Sequence, residues 1–235
     1  MATLADRLNA RFQHIIDQRE NLLTELKKRH PELRCSWDNL YDLLQGRQDN
    51  PPLLLLEALA EVFAVDPAYF LSSRYAEDAL HPPTREKLLA SLDLDAEEYA
   101  ALGEETPSLA TKLNLVIDVA RDTVTKKPFT MVSLAKRLTT NGIPSAPSYL
   151  TGLGNGSKKN PSKAIVEGLA TIFRIDPAYF IASVYAWPIY VELGWLRQLQ
   201  RADIQFVAAR ALTQGSMGTA RLHQILRLLQ DEFAV

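Results

Sequence analysis

Three lysines, Lys158, Lys159 and Lys163, fall within six positions after a glycine-rich turn, in "GLGNGSKKNPSK". Clustered ammonium groups behind a turn of small residues can neutralise nucleic-acid phosphates. About six such contacts would make affinity fall on the order of a thousandfold between about 50 and 200 mM salt. Upstream, "SAPSYLTGLGNG" offers Ser145, Ser148, Tyr149, Thr151, Gly152, Asn155 and Ser157, whose hydroxyls and amide could reach base edges or phosphates. Ser and Thr pair with several base edges and discriminate weakly, so shape readout is expected to matter. An ordinary solvated loop has the same composition, so the elements around these residues decide what they do.

Those elements read as helices. "SLATKLNLVIDVARDTV" places Leu109, Leu113, Val116, Ile117 and Ala120 on one stripe. Thr130 can cap a helix over 131–141, which Gly142 stops. A short helix over about 147–153, opened by Ser145, follows the turn "NGIPSAP". On it Leu150 and Leu153 point inward, and Ser148, Tyr149 or Thr151, and Gly152 point outward. "NPSKAIVEGLATIF" starts on an Asn160 cap with Pro161 in the first helical position, leaving amides at the helix start as an anion site. Strand signals are nearly absent, so the expected fold class is all-α. Two short helices about such a turn suit a helix-turn-helix, with 147–153 as the recognition helix, although any small helical bundle also shows capped amphipathic helices.

The chain repeats itself. Shifting residues 43–70 by 110 onto 153–180 gives 13 identities in 28 positions: Leu43, Gly46, Asn50, Pro51, Glu57, Leu59, Ala60, Phe63, Asp66, Pro67, Ala68, Tyr69 and Phe70 recur. "LADRLN" (4–9) echoes "LATKLN" (109–114) at an offset of 105. Two anchors in the same order indicate a duplicated unit rather than a solenoid. The doubled "DPAYF" reads as a helix start: Asp66 or Asp176 caps, proline follows, and the two aromatics face the core.

The surfaces of the two units differ where their cores agree. In the 110-residue register Ser148 becomes Asp38, Tyr149 becomes Asn39, Gly152 becomes Asp42, and Lys158 and Lys159 become Gln48 and Asp49. Residues 1–107 hold 11 Lys+Arg against 20 Asp+Glu, a balance of −9, and residues 108–235 hold 15 against 8, a balance of +7. A basic second half suits a polyanion, whereas aspartates at the first unit's equivalent positions would repel one. The first unit is therefore expected to keep its fold without binding DNA. Its "PPLLLL", where the second unit has "PSKAIV", suggests a partner patch of Trp37, Leu53 and Leu54; a slightly larger local core is the plainer account.

Residues 109–233 resemble the EspR family, actinobacterial regulators of type VII secretion and nucleoid organisation. The resemblance rests on "GIPSAPSYLTGLGNGSKKNPS", "LATIFRIDPAYF" and "WLRQLQRADIQFVAARAL". It implies an XRE-like (lambda-repressor-like) helix-turn-helix with a C-terminal helical dimerisation region, binding double-stranded DNA as a homodimer. The common spacing of an alanine and a glycine four residues on is absent, since Ala135 and Gly142 are seven apart.

The expected organisation is a degenerate acidic unit over 1–73, a helical bridge and linker over 74–107, a basic DNA-binding unit over 108–183 and a dimerisation region over 184–235. Dimer contacts would come from Trp195, Leu196, Leu199, Phe206, Val207, Leu212, Leu222, Ile225, Leu226 and Leu229, the alternative being a tail that folds back on the second unit. The function expected is a DNA-binding transcriptional regulator, nucleoid-associated and cytoplasmic, with the first unit serving protein contacts. The alternative is an adaptor in which neither unit binds DNA. No nucleophile–base pair or carboxylate pair stands at recognisable spacing, and "GLGNGS" lacks the preceding strand of a phosphate-binding loop, so no enzyme is expected. One cysteine and four scattered histidines show no metal-ligand spacing, and no cofactor is implied. A single cysteine permits no internal disulfide and fits a reducing compartment. The apolar runs are too short for a membrane span, and "MATLADRLNARF" has no signal-peptide pattern.

Overall fold

A computed structural model describes residues 2–12, 19–92, 94, 96–122 and 125–201. The described residues form α1 (Leu4–Phe12), α2 (Arg19–Arg29), α3 (Trp37–Leu44), α4 (Leu53–Phe63), α5 (Arg85–Leu89), α6 (Ala96–Ala101), α7 (Leu109–Val119), α8 (Met131–Thr140), α9 (Pro147–Gly154), α10 (Lys163–Phe173) and α11 (Ala186–Arg201). Short 3-10 turns join them, and among the described residues β-pairing is confined to two isolated bridges. The all-α expectation holds. Among the described residues no helix is long and apolar enough to cross a membrane.

Local sequence sets most helix ends. Ser36 and Asn39 form a capping box at α3, and Thr130 and Ser133 form one at α8. α4 ends on Ala64 at φ 51° and α10 on Arg174 at φ 58°, residues 110 apart, each carrying a left-handed cap without glycine. "DPAYF" makes a four-residue 3-10 turn in both places, Pro67–Phe70 and Pro177–Phe180, with the aspartate accepting the amide two residues on at 2.9 Å. Both aromatics of each copy are buried. The tyrosine of each turn ties back to the unit's first helix: Tyr69 Oη donates to Arg7 O at 3.4 Å and Tyr179 Oη to Lys112 O at 2.9 Å. Arg7 and Lys112, 105 residues apart, each return a bond to a backbone carbonyl beyond the turn, Leu71 O and Ile181 O.

One apolar core runs through α1–α4 and α7–α10 without interruption, drawing in the first residues of α11. The two units are docked face to face, and among the described residues four pairs of bonds between them recur 110 residues apart. Leu53 N donates to Pro161 O at 2.8 Å, and Lys163 N to Pro51 O at 2.9 Å. Leu54 N donates to Asn160 Oδ1 at 2.9 Å, and Ala164 N to Asn50 Oδ1 at 2.7 Å. Ala182 N donates to Glu57 Oε1 at 2.9 Å, and Ser72 N to Glu167 Oε1 at 2.7 Å. Val184 N reaches Asp66 Oδ2 at 2.9 Å, and Arg74 N reaches Asp176 Oδ2 at 2.9 Å. Tyr75 and Tyr185 stack with centroids 4.4 Å apart and planes 7° apart. The pairing is that of an isologous dimer interface made within one chain.

This docking covers much of the expected partner patch. Leu53 is buried, and Leu54 and Trp37 are half-buried against the chain's own core, Trp37 beside Phe12 at 6.0 Å. What covers the start of "PPLLLL" is the second unit. α5 and the turn after it pack on α11, where Leu89, Leu92, Trp187, Val191 and Trp195 form a second cluster. Trp195, expected at a dimer contact, is buried against Leu89 and Leu92 of the bridge, and Leu196 is half-buried against the same cluster and the main core. The Leu199 side chain and Phe206, Val207, Leu212, Leu222, Ile225, Leu226 and Leu229 lie outside the described residues.

The α8–α10 crossing is close. A Cβ added at Gly168 would stand 2.5 Å from Ile143 Cδ1 and 2.7 Å from Leu138 Cδ2. Gly168→Val should therefore cost about 1–3 kcal/mol through overpacking, read as a lower urea midpoint at unchanged slope. An unchanged midpoint would mean that the crossing yields freely.

Candidate nucleic-acid interface

α9 is short and held from below. Leu150 and Leu153 are fully buried, as expected. Ser148 and Thr151 are exposed, and the Thr151 hydroxyl is partly engaged by Pro147 O at 3.0 Å. Tyr149 is half-buried at a groove lined by Asn50, Pro52, Ser145, Asn160 and Ile165, and this partial burial pushes its phenol above its usual range. Two expectations fail here. Ser145 does not open the helix: Ala146 occupies the cap position without a side-chain bond, Pro147 starts α9, and the Ser145 hydroxyl is buried among the described atoms with no partner. Gly152 does not point outward: it is buried beneath the following loop, and a Cβ there would stand 2.7 Å from Lys158 Cγ.

That loop is built from its own backbone. Lys158 N donates to Gly152 O at 2.8 Å, Ser157 N to Asn155 Oδ1 at 3.0 Å, and Gly156 takes φ 76° to make the turn. The Lys158 stem lies over Gly152 while its residue stays exposed, as does Lys159, and among the described residues neither has a carboxylate partner. Asn155 and Ser157 are also exposed. Ser148, Thr151, Asn155, Ser157, Lys158 and Lys159 thus form one polar, cationic stretch along α9 and its exit. Met131, the first residue of α8, comes within 2.9 Å of a Cβ built at Gly154, so the α8 N-terminus abuts the end of α9.

Lys163 does not join this stretch. Its ammonium pairs with Glu167 at 2.6 Å, largely covered, and beside the first unit's Gln48 and Asp49. The amides at the start of α10 are not an anion site either, because Pro51 O and Asn50 Oδ1 take them. Nor does Asn160 cap its own helix: Ser162 stands at the cap position, and Asn160 caps α4 across the interface. The first unit's matching surface is acidic as expected. Asp38 and Asp49 are exposed, Asn39 is used in the α3 cap, and Asp42 pairs with Arg47 at 2.7 Å.

Sequence reasoning took Asp66, Asp176 and Asn160 only as caps within their own units and passed over Asn50, Glu57 and Glu167; all six bond across to the other unit. Their signal was present. They are the only amide or acidic side chains among the 13 recurring positions. Polar residues that recur where outer surfaces diverge mark a self-complementary interface.

A buried charge sits beneath that interface. Lys112 is 1% exposed and donates to Ile181 O at 2.7 Å. Burial pulls its ammonium down to about 7, opposed by the charges of Glu57 and Asp66 from the first unit, which burial in turn pushes up. A lysine whose folded value is depressed binds fewer protons folded than unfolded between about 7 and its free value near 10.4. Its contribution to stability therefore rises with pH across that window, by at most about 1.4 kcal/mol per pH unit. Cys35, pushed up by burial, opposes this above about 8.5. Lys112→Arg, which copies Arg7, should remove the rise. Denaturant titrations from about pH 7 to 9.5 compare the two slopes, and identical slopes would sink the assignment.

No family model matches the chain. Over 104 residues it is 32% identical to the nucleoid-associated protein EspR of Mycobacterium tuberculosis, in strain CDC 1551 / Oshkosh and equally in strain ATCC 25618 / H37Rv. The match takes in 44% of this chain and 78% of the relative.

Proposed function

The chain belongs to the EspR family, and from that premise we propose that it is a nucleoid-associated transcriptional regulator that binds double-stranded DNA. α8 and α9 act as the helix-turn-helix, with α9 the recognition helix. Ser148 and Thr151 meet base edges, and Lys158 and Lys159 meet phosphates on either side of the groove entrance. The observation that carries this reading is the coincidence of exposed hydroxyls on α9 with two exposed lysines, without a carboxylate partner among the described residues, on an exit turn fastened by Lys158 N to Gly152 O. α2 and α3 are a duplicated, degenerate copy of XRE type. Their exposed Asp38 and Asp49 keep that side off the phosphates, and the first unit's protein contact is the second unit itself. Homodimerisation is assigned to the tail residues from Phe206 to Leu229, which would bring two α9 helices to one site.

No arginine stands on α9, and its sole amide, at the C-cap, is Asn155, so sequence selectivity should be modest. The test is fluorescence anisotropy on duplex DNA across a salt series, with wild type against Lys158→Glu/Lys159→Glu. Wild-type binding that the double variant reproduces would overturn the reading, as would no binding by wild type.

A further inference from the structure

We propose that Asn50, in the first unit, is a positioning residue for the second unit's DNA surface: its carboxamide caps α10 across the interface and fixes the turn that carries Lys158 and Lys159. The inference rests on the DNA-binding reading above. A helix start leaves amides that need acceptors. α10 has no acceptor of its own for them, since Ser162 at its cap position makes no side-chain bond. The first unit supplies both acceptors, Pro51 O to Lys163 N at 2.9 Å and Asn50 Oδ1 to Ala164 N at 2.7 Å.

The loop between α9 and α10 therefore has anchors in two places. Its first half is fastened to its own unit through Lys158 N on Gly152 O at 2.8 Å. Its second half is fastened to the first unit, through Pro161 O accepting from Leu53 N at 2.8 Å and Asn160 Oδ1 accepting from Leu54 N at 2.9 Å. Lys159 lies between the two anchors. A cation held in place before binding loses less freedom on meeting a phosphate than one on a loose loop. An acidic unit that repels DNA thus contributes to DNA binding by holding its neighbour's loop.

The experiment uses the full chain. Asn50 is exposed, so Asn50→Ala should fold. We expect it to lower duplex affinity about five- to tenfold, the scale of a lost helix cap plus a loosened loop. It should also speed amide exchange at Ala164 and across 155–160. Asn50→Asp keeps the acceptor and should restore most of the affinity; because it adds a negative charge, recovery cannot be electrostatic. Ser73→Ala removes the 2.8 Å bond from Ser73 Oγ to Asp176 at the far end of α10. It should lower stability while leaving affinity and loop exchange unchanged. Unchanged exchange in Asn50→Ala, no recovery in Asn50→Asp, or a Ser73→Ala that matches Asn50→Ala would each overturn the positioning role. If the loop loosens as expected while wild type binds no duplex, the functional reading fails and the positioning of the loop stands.

Discussion

Reversing Lys158 and Lys159 to glutamate should weaken duplex binding on the order of a hundredfold at about 0.15 M salt, and should lower the salt slope by about 2. Each lysine that neutralises one phosphate releases about 0.9 of a condensed counterion, so two lost contacts remove about 1.8 from the slope. At that ionic strength each contact is worth about 1 kcal/mol, and repulsion from the new carboxylates adds to the loss. The substitutions should leave the fold intact, because both residues are exposed and the Lys158 contribution to the turn is a backbone bond to Gly152 O. The Lys158 stem meets Gly152 through its Cβ and Cγ, which glutamate also has. Lys163, a third cation in the same stretch of sequence, should not behave this way. Its pairing with Glu167 ties it to the interface between units. Anisotropy at several salt concentrations separates the outcomes: a weaker complex with an unchanged slope would mean that these lysines do not meet phosphates.

Asp66→Ala should be among the most destabilising single substitutions in the chain. The carboxylate is 5% exposed and accepts from Ala68 N in its own turn and from Val184 N in the other unit, both at 2.9 Å, with the Ser183 hydroxyl as a third donor. Alanine leaves two backbone amides without their acceptor, at about 1–3 kcal/mol each where water cannot replace it. A loss of about 2–5 kcal/mol corresponds to a Tm lower by roughly 10 °C for a chain of this size. A cap lost in isolation would cost about 1 kcal/mol, so the excess measures the contact between units. Calorimetry decides this: a Tm within about 3 °C of wild type would mean that the contact between units contributes little. The burial that raises the Asp66 carboxyl partly offsets these bonds, so the charge itself is not the source of the stabilisation.

The sequence by itself carried a large part of the structure. Helix positions followed from apolar spacing and caps, as with Thr130 at α8 and Leu113 and Val116 on α7. These features rest on contacts within a few residues, which periodicity and capping chemistry report directly. The role of "DPAYF" was legible for the same reason, since Asp176 bonds an amide two residues away. The exposure of Ser148 and Thr151 and the burial of Leu150 and Leu153 also followed, because one helical turn fixes which side faces the core, although the loop that folds back over Gly152 buries it.

What local pattern left open is where a polar group finds its partner when that partner is distant. Asn160-Pro161 has the form of a cap for its own helix, and Asn160 serves α4 instead. Lys163 and the amides beside it have the form of an anion site, and the first unit and Glu167 satisfy them. "PPLLLL" has the form of an open patch, and the second unit closes it. In each case the sequence determined the need, since an apolar or polar group left uncovered or unpaired costs free energy. Only the tertiary structure decided who meets it. The same local motif can be satisfied within its own unit or across an interface, and the docking of one unit on the other selects between the two.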